Sequence, residues 1–282
     1  MSQVNAGCEH DVVIVSNIDV SPKEPGQVIT ADQAALLRKA STELWPKIKA
    51  STKTLLASSV RESGADLHKA PALGWLARPN LGMNLGAWDA GWRFCAEYRS
   101  DNDSYEHHFL FLQDEVEIQR ENWLAGFVDR LAELRKGQRN CEGELKPILL
   151  GETWNHRWDQ PWEVLRGSAI NRPEYGGGET QGLGRVDFYL ACLKDWSVKA
   201  QQTAGHLRAL VIFSDLTTLK RINGFHIGES KHSCIASEIA LSQAVLERGG
   251  EVAQVQALEP FHYLWHREWL KDGSSKASIP NG

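Results

Sequence analysis

The chain has 282 residues, 42% of them hydrophobic, and its formal net charge at pH 7 is -5. This length and hydrophobic content suit one large α/β domain or two closely packed halves, and they exclude a wholly disordered chain. The acidic balance excludes the broad basic surface of a general nucleic-acid-binding protein, so we expect no nucleic-acid partner.

The first part of the chain predicts alternating strands and helices. A β-branched run over 11–16 predicts a strand, a capping box opens a helix over 30–48, and 54–60 predicts a second strand. This strand–helix–strand order favours a parallel sheet. The next elements are a glycine-rich loop from 77, a helix over 87–98 and an apolar strand over 107–112.

The second part continues the alternating pattern. Residues 122–136 predict an amphipathic helix, because Trp123, Phe127 and Leu131 recur at helical spacing. Residues 155–184 are rich in Gly, Trp, Arg and Pro, which is typical of an irregular functional loop. The remaining elements are strands over 147–150, 208–214 and 251–256, and helices over 186–195, 216–222 and 236–248.

Cysteine usage and hydropathy bear on the compartment. The five cysteines include no CxxC pair, no apolar run is long enough to span a membrane, and the N-terminus lacks a secretory pattern. We therefore expect a cytoplasmic protein with reduced thiols, and peripheral association with a membrane stays open.

Eleven tryptophans are a second feature of the composition. Trp154, Trp158 and Trp162 lie close together in a polar stretch. Flat indole faces either pack in a core or stack against sugar rings, and the sequence leaves both interpretations open.

The acidic segment after the strand over 107–112 carries the first functional pattern. The sequence FLFLQDEVEI places Gln113, Asp114 and Glu115 directly after an apolar run. The carboxyl edge of a parallel sheet is where open α/β sheets bind ligands. Carboxylates there could hold Mg²⁺ or Mn²⁺, which prefer oxygen ligands, or they could simply meet water.

Two further segments carry functional residue types. In the segment 80–91, glycines such as Gly82 permit close backbone approach, and Asn80 and Asp89 could hydrogen-bond a base or a ribose. The alternative is a glycine-rich turn before a helix. Later, Glu238 is predicted near the start of a helix, where a carboxylate could act as a general base or could simply stabilise its own helix.

In order and spacing, these segments resemble the inverting glycosyltransferases of family 2 with the GT-A fold. That family has an N-x-G segment before a helix, an acidic metal motif after a strand, and a G-G-F segment leading to an acidic pair. The corresponding segments here are Asn80–Gly82, Leu112–Glu115, Asn223–Phe225 and Ser237–Glu238. The chain departs from the family pattern in several places: Gln-Asp-Glu replaces Asp-x-Asp, and Ser-Glu replaces the acidic pair. The distance from Phe225 to Glu238 is also a few residues longer than in the family.

The resemblance covers about residues 10–265 and implies an α/β fold of the GT-A type, a Rossmann-like mixed central sheet flanked by helices. It implies a single GT-A domain over 1–270 and a flexible tail over 271–282. Within that domain, the nucleotide-sugar-binding half would span about 10–135 and the acceptor-binding half about 136–270.

The resemblance also implies roles for individual residues. Glu238 would be the catalytic base, with Glu229 as its main competitor. A Mn²⁺ or Mg²⁺ ion would be held by Asp114, Glu115 and His262, with His266 as a further candidate four residues on. The nucleotide sugar would be bound by Asn80, Gly82, Asp89, Gln113 and Asp114.

The function implied is transfer of a sugar from a nucleoside-diphosphate sugar to a hydroxyl acceptor, a glycan or polysaccharide. The transfer would be metal-dependent and would invert the anomeric centre. Two alternatives stay open. One is a non-catalytic carbohydrate-binding or scaffold protein on the same fold, and the other is a nucleotidyltransferase that makes sugar nucleotides.

Overall fold

A computed structural model of the chain describes residues 12–18, 53–56, 72–79, 82–98, 107–113, 115–136, 144–176 and 178–266. The chain divides into two compact units. The first comprises Met1–Ser104 with Phe225–Cys234, and the second comprises Tyr105–Gly224 with Ile235–Gly282. The predicted boundary between two halves near residue 135 therefore lies inside the second unit. The helix expected over 30–48 and the tail over 271–282 lie outside the described residues.

The first unit contains a parallel sheet of three strands. These are β1 (Val12–Ile18), β2 (Lys53–Leu56) and β3 (Ala72–Pro79), in the order β1-β3-β2. Both pairings are parallel, which confirms the expectation for this part of the chain. The sequence analysis did not predict the central strand β3, and its last three residues lie where a loop from 77 was expected. Gly74 and Pro79 are residue types that are uncommon in a central strand.

Helix α1 (Met83–Tyr98) follows β3 and begins four residues before the predicted start at 87. Gly82 has a φ of +74°, and its carbonyl accepts a hydrogen bond from the Gly86 amide at 2.9 Å. The glycine-rich stretch is thus partly helical. Its apolar side chains Leu85, Trp88 and Trp92 are buried, so packing compensates for the low helix propensity of glycine.

The second unit contains six described strands. These are β4 (His108–Leu112), β5 (Val116–Ile118), β6 (Ile148–Gly151), β7 (Val211–Asp215), β8 (Glu251–Gln254) and β9 (Leu264–His266). Four of them form a mixed sheet in the order β4-β7-β6-β8, and β5 pairs with β9 in a separate antiparallel ribbon. Strands β6 and β7 are the inner strands of the four-stranded sheet and form its core. Five of their side chains are 0% exposed: Ile148, Leu149, Leu150, Ile212 and Phe213.

Strand direction in this sheet corrects the expectation that the acidic segment ends a parallel strand. Both β4 and β6 are antiparallel to β7, and β8 is parallel to β6. The carboxyl ends of β4, β6 and β8 therefore lie at the same end of the sheet, beside the amino end of β7. This end is called the sheet edge. The acidic segment after β4 has the residues before β7 as its neighbours.

The described helices after α1 are α2 (Trp123–Arg135), α3 (Trp162–Arg166), α4 (Arg185–Asp195), α5 (Leu216–Ile222) and α6 (Lys231–Glu247). Helix α2 confirms the amphipathic prediction, since Trp123, Phe127 and Leu131 are at most 2% exposed. Helix α5 has the predicted bounds. Among the helices that the structure describes, none is both long enough and apolar enough to cross a membrane.

The segment predicted to be an irregular loop, 155–184, consists largely of short helical turns. Trp158 and Trp162 are 7% and 5% exposed, so they pack in the interior and do not form sugar platforms. Trp158 packs against Tyr189 with 5.3 Å between ring centroids, and Trp162 Nε1 donates to the Gln201 carbonyl at 3.0 Å. Trp154 is half-buried.

Candidate functional site

Gln113 follows β4 and is fixed at the sheet edge. Its backbone amide donates to the Leu210 carbonyl at 3.3 Å, and its side-chain Nε2 donates to the Ala209 carbonyl at 2.7 Å. These bonds result from the antiparallel pairing, which brings the residues before β7 beside the end of β4. Asp114, the next residue and the central member of the predicted metal motif, lies outside the described part of the chain.

His266 lies beside this acidic segment. It is 1% exposed and is paired in register with Val116 across the β5–β9 ribbon. Its Nε2 is 3.1 Å from Gln113 Oε1 and 3.5 Å from Glu115 Oε2. Because Gln113 Nε2 donates to Ala209, Gln113 Oε1 faces the imidazole, and His266 Nε2 must carry the proton of this hydrogen bond.

His262, the predicted metal ligand, has other partners. Its Nδ1 is 2.5 Å from Glu259 Oε2, and its ring packs edge-on against Tyr263. Glu259 also pairs with Arg120 at 2.8 Å, and the hydrogen bond from His262 lowers the pKa of the Glu259 carboxyl. The structure therefore brings His266, and not His262, to Gln113 and Glu115.

Glu238, the predicted base, lies in the interior of α6 and not at a helix start. The helix begins at Lys231, five residues before the predicted start, so the helix-terminus interpretation of Glu238 is wrong. The side chain is half-buried, and Oε2 accepts a hydrogen bond from the Ala209 amide at 3.3 Å. Ala209 thus connects Glu238 to Gln113, and Gln113 connects onward to His266.

His266 and Glu115 are of side-chain types that can ligate a divalent cation. Two ligands bound to one octahedral ion at about 2.1 Å lie about 3 Å apart, close to the separation of His266 Nε2 and Glu115 Oε2. Within the described ranges, no group of three or more His, Cys, Asp or Glu side chains is arranged to hold a metal. Ligation by His266 Nε2 requires loss of the proton that it donates to Gln113.

In the first unit, Asp89 has a structural role that sequence reasoning missed. Its Oδ1 accepts hydrogen bonds from Trp92 Nε1 at 2.9 Å and from the Phe225 amide at 3.0 Å. Its Oδ2 accepts from Arg93 Nε at 2.8 Å. Both carboxylate oxygens, proposed to contact a ribose or a base, already bind protein donors.

Gly82 also has a packing role in the first unit. A β-carbon built at Gly82 would lie 2.5 Å from Ile227 Cγ2, so any larger residue would force the Ile227 side chain to move. Asn80, the third predicted nucleotide contact of this segment, lies outside the described residues.

The Asn-Gly-Phe segment begins as a helix terminus. Asn223 and Gly224 have φ values of 61° and 72°, and the Gly224 amide donates to the Leu219 carbonyl at 2.8 Å. This left-handed termination of α5 explains the residue types Asn and Gly without a ligand.

Glu152 is a buried carboxyl group that the sequence analysis missed. It follows β6 and is 1% exposed. Its Oε1 accepts hydrogen bonds from the amides of Tyr263 and Leu264 at 3.0 and 2.9 Å, and its Oε2 has no hydrogen-bond partner among the described residues. Burial raises the pKa of Glu152 to about 7, against the opposing effect of the backbone hydrogen bonds. The sequence signal that could have identified Glu152 is a carboxylate placed directly after a predicted apolar strand.

We expect Glu152→Gln to become more stable relative to wild type as the pH rises from about 4.5 to about 7. Over this range the unfolded chain ionises Glu152 while the folded chain keeps it protonated, so wild-type stability falls with pH. Glutamine does not titrate. The relative change should be roughly 3 kcal/mol, measured by urea denaturation at a series of pH values.

The prediction concerns the difference in unfolding free energy between Glu152→Gln and wild type. The difference is needed because a buried histidine makes stability rise with pH, opposite to the effect of Glu152. His206 is 0% exposed, and burial lowers its pKa to about 4. Its contribution to stability is lost as the pH falls below about 6.5, where the unfolded chain protonates. It cancels in the comparison, and parallel stability curves for the two proteins would contradict the assignment.

The chain was compared with protein-family models, curated proteins and solved structures, and none of them matches it.

Proposed function

We propose that the protein is a metal-dependent glycosyltransferase. It would transfer a sugar from a nucleoside-diphosphate sugar to a hydroxyl acceptor of a glycan or polysaccharide, with inversion at the anomeric carbon. The observation that carries the proposal is the position of His266, within 3.5 Å of both Gln113 and Glu115 at the end of β4. The resemblance of the acidic segment to a metal motif supports it.

In this proposal each side chain at the sheet edge has a defined task. Asp114, Glu115 and His266 would hold the cation, and Gln113 would orient His266 only until the cation replaces their hydrogen bond. A Mn²⁺ or Mg²⁺ ion supplies positive charge that stabilises a departing nucleoside diphosphate. Glu238 would accept the proton of the acceptor hydroxyl, and binding of both substrates at this edge would align the attack.

One observation favours the alternative of a carbohydrate-binding protein without turnover. His266 Nε2 donates to Gln113 Oε1 in an arrangement that is complete without a cation. Under this alternative, nucleotide sugars would bind without being cleaved. Calorimetry with UDP and Mn²⁺, combined with an assay for released nucleoside diphosphate, separates the two functions.

We expect Glu115→Gln and Asp114→Asn each to abolish transfer and to weaken nucleotide binding, with the fold retained. Carboxamides are weaker ligands for hard cations than carboxylates. Release of nucleoside diphosphate from a panel of nucleotide sugars, with Mn²⁺ or with EDTA, is the measurement.

The matched control is Glu121→Gln, which removes an exposed carboxylate just after β5. It should keep wild-type turnover. Full activity of the wild type in EDTA, or of both Glu115→Gln and Asp114→Asn, would show that the reaction needs no cation at this edge.

A further inference from the structure

Glu152 lies on the same sheet edge as the acidic segment. It directly follows β6, an inner strand that pairs with both β7 and β8. Since β4 and β6 run in the same direction, Gln113 and Glu152, which directly follow them, lie at the same end of the sheet. Pairing on both sides of β6 fixes the backbone from which the Glu152 side chain extends.

Residue 152 binds the chain that enters β9 through three hydrogen bonds. The Glu152 carbonyl accepts from the Phe261 amide at 3.1 Å, and Oε1 accepts from the amides of Tyr263 and Leu264. Leu264 is the first residue of β9. Residue 152 therefore contacts the chain directly at the start of this strand.

The position of His266 follows from the start of β9. Strand β9 has three residues, Leu264–His266, so His266 lies only two positions beyond the Glu152 contact, about 7 Å along a strand. Pairing with β5 and a hydrogen bond from the Gln119 amide to the Tyr263 carbonyl at 2.9 Å also fix this segment. A slip of one residue would turn His266 to the opposite face.

Stability alone does not explain a carboxyl group at this position. Its Oε2 is buried and has no hydrogen-bond partner in the described part of the chain, and burying a polar atom in this way is costly. Glutamine has the same shape and could accept both amide bonds without a group that ionises, although it would place its NH2 group at the position of Oε2. Residues that lower stability in this manner are typical of functional sites.

We infer that Glu152 is a positioning residue, whose hydrogen bonds to Tyr263 and Leu264 hold His266 against Gln113 and Glu115. The inference deepens the proposed function, because it gives His266 its place at the same site. Its test reads the imidazole directly and does not require turnover.

The test compares Glu152→Gln with Glu152→Asp by NMR of the histidine side chains. Glutamine keeps the acceptor oxygen in place, whereas aspartate withdraws it by one carbon–carbon bond, about 1.5 Å. The His266 signals are assigned from their loss in His266→Gln. We expect Glu152→Asp to shift the His266 signals and Glu152→Gln to leave them close to wild type.

Two controls accompany the comparison. The His206 imidazole, held by the Ala204 carbonyl and the Asn155 side chain, should keep its signals in both variants. Glu133→Gln, which removes an exposed carboxylate on α2, should leave His266 unchanged. A folded Glu152→Asp protein with unchanged His266 signals would overturn the inference, since a merely structural role lowers stability alone.

A second measurement covers the case in which Glu152→Asp does not fold. In wild type, the Tyr263 and Leu264 amides should be protected from hydrogen exchange as strongly as the core of β6. Fast exchange at both amides, with the His266 signals intact, would equally overturn the inference.

Kinetics separate this inference from the proposed function. If the protein is a glycosyltransferase, Glu152→Asp should lower kcat about 10–100-fold with little change in KM, and Glu152→Gln should restore it. Shifted His266 signals without turnover on any nucleotide sugar would uphold the positioning role and reject the transferase. Turnover that is insensitive to Glu152→Asp would uphold the transferase and reject the positioning role.

Discussion

Replacing Glu238 with Gln is expected to lower turnover about 10²–10⁴-fold and to leave the affinity for the donor nucleotide nearly unchanged. The Glu238 carboxylate is half-buried on α6 and accepts a hydrogen bond from the Ala209 amide. Glutamine can keep that hydrogen bond through its own oxygen, so the local structure should survive. It cannot take a proton from an acceptor hydroxyl, so the chemical step should fail.

The measurement is kcat from nucleoside-diphosphate release, together with the nucleotide Kd from calorimetry. The matched control is Glu229→Gln, because Glu229 is an exposed carboxylate in the segment before α6 and is the competing candidate base. Near-normal turnover of Glu238→Gln would remove its assignment. A loss confined to Glu229→Gln would transfer the role to that residue.

Replacing Asp215 with Ala is expected to lower the free energy of unfolding by about 3–5 kcal/mol. The Asp215 side chain is 1% exposed and forms an ion pair with Arg135, which is 11% exposed. It also caps α5, with Oδ1 2.7 Å from the Thr218 amide. Removing the carboxylate takes the Asp215 charge away from the buried Arg135 guanidinium and removes the helix cap.

Urea denaturation of two further variants separates these contributions. Asp215→Asn keeps an oxygen at the cap but removes the charge, so it isolates the ion pair, since a cap alone contributes about 1 kcal/mol. Glu133→Ala breaks the exposed pair with Arg130, and it should cost less than about 1 kcal/mol. A loss for Asp215→Ala no larger than that for Glu133→Ala would show that the buried pair contributes little.

The position of His266 beside Gln113 and Glu115 shows what local sequence could not predict. His262 and His266 lie in one aromatic segment, and local pattern gave no basis for preferring the second. The choice depends on β9, whose three residues pair with β5 almost 150 positions earlier in the chain. Three residues carry too little β-propensity to predict a strand from local sequence. The stability of so short a strand comes from its cross-strand contacts.

The sequence by itself determined the elements whose cause is local. Helix α2 followed from apolar residues at helical spacing, and α5 was predicted with its bounds directly before the Asn-Gly-Phe segment. The acidic segment after β4 and the strand before Glu152 were likewise readable from a few neighbouring residues.

Only the tertiary structure decided which of these residues meet. Antiparallel pairing of β4 and β6 with β7 brings the acidic segment beside Ala209, and the β5–β9 ribbon brings His266 to Gln113 and Glu115. Burial changed Trp158 from a possible sugar platform into a core residue, and it raised the pKa of Glu152. Strand direction, register and burial depend on contacts between distant parts of the chain, which no local window of sequence contains.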